Sequence, residues 1–179
     1  MTELRQTITL GGGCFWCLEA VYVCVKGVLD VESGYCNGHV LQPSYSDVCS
    51  GATGHNEVVK LVFDSTQISA REILEIFFVI HDPTTLNRQG HDSGTQYRSG
   101  IYFSTPVQQA LAREIIDEMT NGTVYRSPIV TEVLPLANYW AAEDYHQDYF
   151  AKNPQQGYCV AVAAPKVAKF RRTFARLVR

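Results

Sequence analysis

Apolar positions along the chain switch between a period of two and a period of three to four, and the switches mark the elements. "QTITL" (6–10) is β-branched and alternating, which predicts a strand. From residue 14 to about 25, Leu18, Val21, Tyr22 and Val25 recur at helical spacing, and Gly27, tolerant of left-handed dihedrals, is placed to end that helix. "VLDVESGY" (28–35) and "EVVKLVFD" (57–64) read as strands, the second with Val59, Leu61 and Phe63 on one face. Ser69 with Glu72 three residues on predicts a capping box, opening a helix whose buried stripe is Ile73, Leu74, Phe77 and Phe78. "SGIYFS" (99–104) is a further strand. Thr105, Pro106 and Gln108 then open a helix, with a second capping box possible and Leu111, Ile115 and Met119 facing the core. "PIVTEVLP" (128–135) reads as a strand stopped by Pro135, and "YCVAVAA" (158–164) as a short one.

The order β-α-β-β-α-β over residues 6 to 104 is the split-βαβ, ferredoxin-like arrangement. It predicts an α/β protein of the α+β two-layer sandwich type, with helices packed on a mainly antiparallel sheet. No repeat, low-complexity segment or Pro/Ser linker interrupts the 179 residues, so residues 1–179 are expected to form a single catalytic domain. Two connections, 36–56 and 81–98, are long and rich in Gly, His, Tyr and Asp. Loops of that length inside a compact domain commonly carry function.

Composition narrows the partners. A 46% hydrophobic content and a formal net charge of −3 suit a globular domain with a sizeable core. Lys and Arg are scattered until the C-terminal "KVAKFRRTFARLVR", which reads as a solvated helix lying on the core, so no basic face for nucleic acid is expected. The N-terminus lacks a basic region followed by a long apolar run, and no stretch approaches the roughly 18 apolar residues of a membrane span. These features point to the cytoplasm, a compartment that keeps thiols reduced, and a monomer is expected. The six cysteines then read as reactive, metal-binding or buried, in preference to a disulfide framework.

"GGGCFWCLEAVY" (11–22) is where such reactivity is expected. Cys14 follows a strand and three glycines, at the start of a helix whose unpaired N–H groups lower a thiol's pKa. Cys17 lies three residues on, on the same face, near enough to trap an oxidised Cys14 as a disulfide. Phe15 and Trp16 cannot easily both be buried, and an exposed aromatic pair beside a nucleophile suits an apolar substrate group such as a methyl. Cys24, Cys36 and Cys49 fit better as small buried hydrophobes. Polar candidates cluster in the long loops: His55 and Glu57 in "GATGHNEVV", then His81, Asp82, Arg88, His91, Asp92, Tyr97 and Arg98, with Tyr35 at a strand end. A carboxylate in an apolar pocket has its pKa raised and can serve as a general acid. A zinc site using Cys14, Cys17 and two of the five histidines competes with this reading, but no second C-x-x-C and no H-x3–5-H pair exists.

Taken together, "GGCFWCLEAVY", "GVLDVESGYCNG", "YSDVCSGATGHNEVV", "FFVIHDPTTLNRQGHDSGTQYRS", "AEDYHQDYF" and "NPQQGYC" resemble the peptide methionine sulfoxide reductase A family over about residues 10 to 160. The resemblance implies that Cys14 attacks the sulfoxide sulfur, that Phe15 and Trp16 form the methyl pocket, and that Glu57 protonates the departing oxygen. It implies further that Tyr35 and Tyr97 hydrogen-bond that oxygen and that Asp92 helps order the site. The Cys14 sulfenic acid would then condense with a second thiol, and thioredoxin would reduce the disulfide. The substrate implied is methionine-S-sulfoxide, free or in proteins, with no metal or other cofactor. Many members carry Gly at the position of Cys17 and a resolving cysteine after "GYC". Here Cys17 and Cys159 each match a resolving position, with a slight preference for Cys17. The alternative reading is a zinc-binding or redox-sensing thiol module without reductase activity.

Overall fold

Residues 4–179 are described by a computed structural model, and its elements follow the hydrophobic periodicity closely. In chain order they are β1 (Arg5–Gly11), α1 (Phe15–Tyr22), β2 (Val28–Cys36), α2 (Tyr45–Cys49), β3 (Asn56–Asp64) and α3 (Ala70–Ile80). A two-residue hairpin follows, β4 (Arg88–Gln89) and β5 (Asp92–Ser93), then β6 (Gly100–Phe103), α4 (Pro106–Asn121), β7 (Glu132–Pro135), β8 (Trp140–Ala141), α5 (Tyr149–Lys152) and α6 (Ala164–Thr173). The main sheet has the order β7-β6-β1-β3-β2-β8. All its pairs are antiparallel except β6 with β7. The four strands of the β-α-β-β-α-β unit thus sit with the first and third in the middle, as the ferredoxin-like reading requires.

Ile8 and Leu10 of β1, Val59, Leu61 and Phe63 of β3 and the apolar faces of α1, α3 and α6 share one core. Tyr22 reaches across it, its hydroxyl donating to the Ile73 carbonyl at 2.8 Å. On the opposite sheet face Cys36, Val58 and Tyr102 form a smaller cluster under Leu136 and Tyr139. The Ser69–Glu72 capping box is present in full. The second box is half made: Thr105 accepts from the Gln108 N–H, but the Gln108 carboxamide turns to the Ser104 N–H and the Thr7 carbonyl.

Three expectations need correction. The first helix stops at Tyr22, short of Gly27; Val25 instead bridges to Val178, and Gly27, at φ +90°, forms the turn into β2. Residues 158–164 are helical: a π-turn over Cys159–Ala163 runs straight into α6. The alternation in "CVAVA" mimics a strand, yet the positions that bury are Cys159, Ala163, Val167 and Phe170, a helical spacing. Of the three spare cysteines, Cys36 is buried and Cys24 partly so, but Cys49 is exposed, because Val48 takes the inward position on α2. The basic C-terminal segment is a helix with its arginines in solvent, as expected.

The edge strand β2 is closed by the segment from β8 to α5. Gly34 and Tyr35 pair with Ala141 and Trp140, and Ala142 N–H donates to the Ser33 carbonyl at 2.9 Å. Gln147 then completes the pairing as a side chain: Ser33 N–H donates to its Oε1 at 2.9 Å, while its Nε2 donates to the carbonyls of Ser33 (2.9 Å) and Ala142 (3.1 Å). Buried Glu19 of α1 holds the same segment, accepting from Ser33 Oγ (3.2 Å) and Tyr149 N–H (3.1 Å). Gln147→Ala leaves these backbone groups unpaired, which costs about 1–3 kcal/mol. Thermal unfolding should show Tm lowered by roughly 5 °C; an unchanged Tm would show that the segment is held without it.

Candidate active site

The site is built where β1 turns into α1. Gly13 adopts φ +90°, and a Cβ at Gly11 would collide with the Asn56 carboxamide, so the glycines allow the chain to turn tightly against β3. Gly13 N–H donates to the Tyr97 carbonyl at 3.2 Å, tying the 81–98 loop to this turn. Cys14 is the N-cap residue of α1, with φ −64° and ψ 132°, as its position after the glycines predicts. Cys17 follows in the first turn, its N–H donating to the Cys14 carbonyl at 3.1 Å.

Glu57 is fully buried on β3, directly across the ladder from Tyr35 on β2. Its Oε1 accepts the Phe15 N–H at 3.3 Å and its Oε2 has no hydrogen-bond partner. Burial pushes the Glu57 carboxyl up to about 8; the Phe15 N–H opposes this and Asp92 adds to it. At pH 7 the group is therefore mostly a neutral acid, with one oxygen buried and unpartnered.

The same environment overturns one expectation. Cys14 is held well above the ordinary thiol range, first by burial, then by Glu57 and Cys17, with the Trp16 N–H acting in the opposite direction. The helix N-terminus is thus outweighed, and the resting group is a thiol. Desolvation dominates because only 7% of the residue is exposed.

Aromatic rings enclose the thiol. Phe15 is fully buried, so the adjacent pair is not jointly exposed: its ring lies 5.7 Å from Tyr35, 6.4 Å from Tyr45 and 5.0 Å from His146. Trp16 is half-buried and stacks on Tyr149 with centroids 3.7 Å apart and planes 5° from parallel. Its Nε1–H donates to His146 Nδ1 at 3.0 Å. The His146 ring is therefore neutral, with its proton on the buried, unpartnered Nε2, and burial lowers its pKa. Tyr35 donates to Glu143 Oε1 at 2.9 Å, and Glu143 Oε2 accepts the Tyr45 N–H at 3.0 Å. Burial first, then Glu143 at Tyr35 and Glu57 at Tyr45 and Tyr97, keep these three hydroxyls protonated throughout the neutral range.

Asp92, on β5, accepts a 2.5 Å hydrogen bond from Tyr158, whose oxygen also lies 3.7 Å from Cys17 Sγ. Cys159 is fully buried in the π-turn, its N–H on Gln156 Oε1 at 3.1 Å. The remaining sequence candidates serve the scaffold. His55 binds the Val40 carbonyl (2.7 Å), His81 binds Ser99 Oγ (2.7 Å), and Arg98 spans Glu132 and the Gly54 carbonyl, each at 3.1 Å. Asp82 caps Thr84, while Arg88 and His91 are exposed. Sequence reasoning assigned no role to Tyr45, Glu143, His146, Tyr149 or Tyr158. The clue available was the density of aromatic and acidic residues in "AEDYHQDYF" and "NPQQGYC". Among the described residues no group of three or more His, Cys, Asp or Glu side chains is placed to hold a metal ion. None of their helices is long and apolar enough to cross a membrane.

Comparison with known proteins agrees with this geometry. A family model described as peptide methionine sulfoxide reductase matches residues 6–177. A peptide methionine sulfoxide reductase MsrA from Polynucleobacter asymbioticus is 55% identical over 173 residues, 97% of this chain and 91% of that protein. One from Trichodesmium erythraeum is 54% identical, covering 96% and 97% respectively. Among solved structures, Mxr1 from Saccharomyces cerevisiae in reduced form superposes with a TM-score of 0.80 at 36% identity, over 89% of this chain and 91% of that one. A structure of Mxr1 in complex with Trx2 matches at 24% identity and a TM-score of 0.56, a likeness of fold. On a family match that spans nearly the whole chain, and relatives more than half identical over it, this protein belongs to the peptide methionine sulfoxide reductase family.

Proposed function

We propose that the chain acts as one catalytic domain reducing the S epimer of methionine sulfoxide, free or in proteins, at the Cys14–Glu57 pair. The observation that carries this reading is the buried Glu57 carboxyl, neutral at pH 7 and with Oε2 unpartnered, beside the N-cap thiol. A sulfoxide oxygen is a poor leaving group until protonated, and a buried carboxylic acid of near-neutral pKa is suited to that transfer. Glu57 gives its proton to the sulfoxide oxygen as Cys14 Sγ attacks the sulfur. The thiol proton then passes to the Glu57 carboxylate, the oxygen ends on Cys14 as a sulfenic acid, and methionine leaves as the thioether. No proton is gained or lost overall, which matches a pair that begins as thiol and acid.

The other roles follow from position. Tyr97, protonated, serves as a donor to the oxygen as its charge develops, and Tyr35, whose one hydrogen rests on Glu143 Oε1 in the substrate-free site, joins it by turning from that carboxylate to the oxygen. Phe15 and Trp16, fixed by Tyr35, Tyr149 and His146, line the methyl pocket. Asp92 orders the site through Tyr158. For the second step the helical turn favours Cys17, on the same face as Cys14, over Cys159, which is fully buried in a packed π-turn. A dithiol donor of the thioredoxin type then restores both thiols, a reading supported by the cysteine pair and by a relative that has been solved with Trx2. The enzyme on this reading is a cytoplasmic monomer needing no metal or organic cofactor.

Cys14→Ser should abolish methionine formation, as measured by product release in a single turnover. Glu57→Gln should slow that step by about 100-fold or more at pH 7. In the unsubstituted protein, an acid held up at about 8 is protonated below that pH, so the single-turnover rate should fall as pH rises through it. Glu57→Gln should lack this fall. An equal alkaline fall in both proteins would remove Glu57 from the acid role.

A further inference from the structure

Cys17 poses a problem that the first step does not share. It is 1% exposed, and burial pushes its thiol up to about 11. At pH 7 the thiolate that must attack a sulfenic acid is then present in roughly one molecule in ten thousand. Every group that faces it bears on this. Tyr158 and Cys159 approach from the π-turn, Asp92 from β5, Lys166 from α6, and Cys14 from the same helix.

The geometry of these groups is directional. A tyrosine hydroxyl has one hydrogen, and that of Tyr158 is committed to Asp92 Oδ2 at 2.5 Å. Toward Cys17 Sγ, 3.7 Å away, the same oxygen can therefore only accept. Burial, the nearby Cys14 and Cys17 thiols and Asp92 all hold the Tyr158 hydroxyl protonated, so it passes a proton on without ionising for long. Lys166, its Nζ anchored on the Ile80 carbonyl at 3.0 Å, supplies the positive charge that opposes the cost of a Cys17 anion.

We propose that Tyr158 and Asp92 form the proton relay that activates Cys17, Tyr158 touching the reacting sulfur and Asp92 positioned behind it. The proposal rests on Cys17 being the resolving thiol. As Cys17 Sγ attacks the Cys14 sulfenic sulfur, its proton moves to the Tyr158 oxygen and the Tyr158 proton moves to Asp92. The S–O bond breaks as the S–S bond forms, with Cys17 oxidised and the Cys14 sulfur reduced. The departing hydroxide takes the Glu57 proton and leaves as water. One proton has gone to Asp92 and one has come from Glu57, so the site's net charge is unchanged.

The test is a single turnover of the full chain with methionine-S-sulfoxide and no reductant. It measures methionine release, sulfenic acid by a trapping reagent, and the disulfide by peptide mapping. Tyr158→Phe should slow disulfide formation at least about tenfold more than methionine release, with sulfenic acid accumulating. In both Tyr158→Phe and Asp92→Asn the slowed step should become proportional to hydroxide, rising about tenfold per pH unit from about pH 5.5 to 7.5, below the pH at which Glu57 loses its proton, because free thiolate replaces relayed proton transfer. In the unsubstituted protein the rise should be much shallower. Equal slowing of both steps, or an unaltered pH profile with the Cys14–Cys17 bond intact, would overturn the relay alone. A Cys14–Cys159 bond in the unsubstituted protein would overturn the Cys17 assignment and the relay with it.

Discussion

The Phe15 N–H to Glu57 contact is the constraint on which the site depends. It ties the first turn of α1 to β3 and brings an acid up to a helix N-terminus that carries a thiol. One N–H at 3.3 Å is a weak donor for a carboxylate, and the second oxygen has none. Burial therefore prevails over hydrogen bonding, and Glu57 keeps its proton. A stronger donor set would turn the same residue into a resting carboxylate, useless as an acid. The glycine turn, with Gly11 closed against Asn56, makes the approach possible.

A second consequence is that two groups of like ionised charge share one buried site. Burial raises the cost of ionising either group, and Glu57 adds to that cost at Cys14, so a resting thiolate–carboxylate pair is excluded. The chemistry must be concerted through protons held by the protein. The same logic extends outward to Cys17, where Tyr158 and Asp92 take the place of water as proton acceptor. Around both thiols the aromatic wall of Phe15, Trp16, Tyr45 and Tyr149 keeps the dielectric low, which strengthens each of these effects.

Much of the fold was readable because each element of the β-α-β-β-α-β unit shows the core one apolar face. Ser69 and Glu72, and Thr105 with Pro106, fixed helix starts through their local chemistry. The errors fell where local pattern is ambiguous. "CVAVA" alternates like a strand, yet buries at helical spacing against α1. Cys14, Glu57, Tyr35, Asp92 and Tyr97 were singled out by residue type and resemblance, and the fold brings them close enough to shift one another's protonation. Glu143, His146, Tyr149 and Tyr158 gave no periodic signal. They reach the site through long-range pairing: β8 on the edge of β2, Gln147 in place of a strand, and the π-turn that aims Tyr158 at Asp92. At Cys14, sequence position reveals the helix terminus and conceals the depth of burial that holds the group as a thiol.

The central claim is that Glu57 is a neutral acid in the folded, substrate-free protein at pH 7. Titration of the Glu57 side-chain carboxyl by carbon-13 NMR, assigned by its loss in Glu57→Gln, measures this directly. The account predicts a midpoint at about 8, well above the ordinary value of 4.5 for a glutamate in water. A midpoint near the latter value would show Glu57 to be a carboxylate at rest, and the proton for the sulfoxide oxygen would have to come from elsewhere.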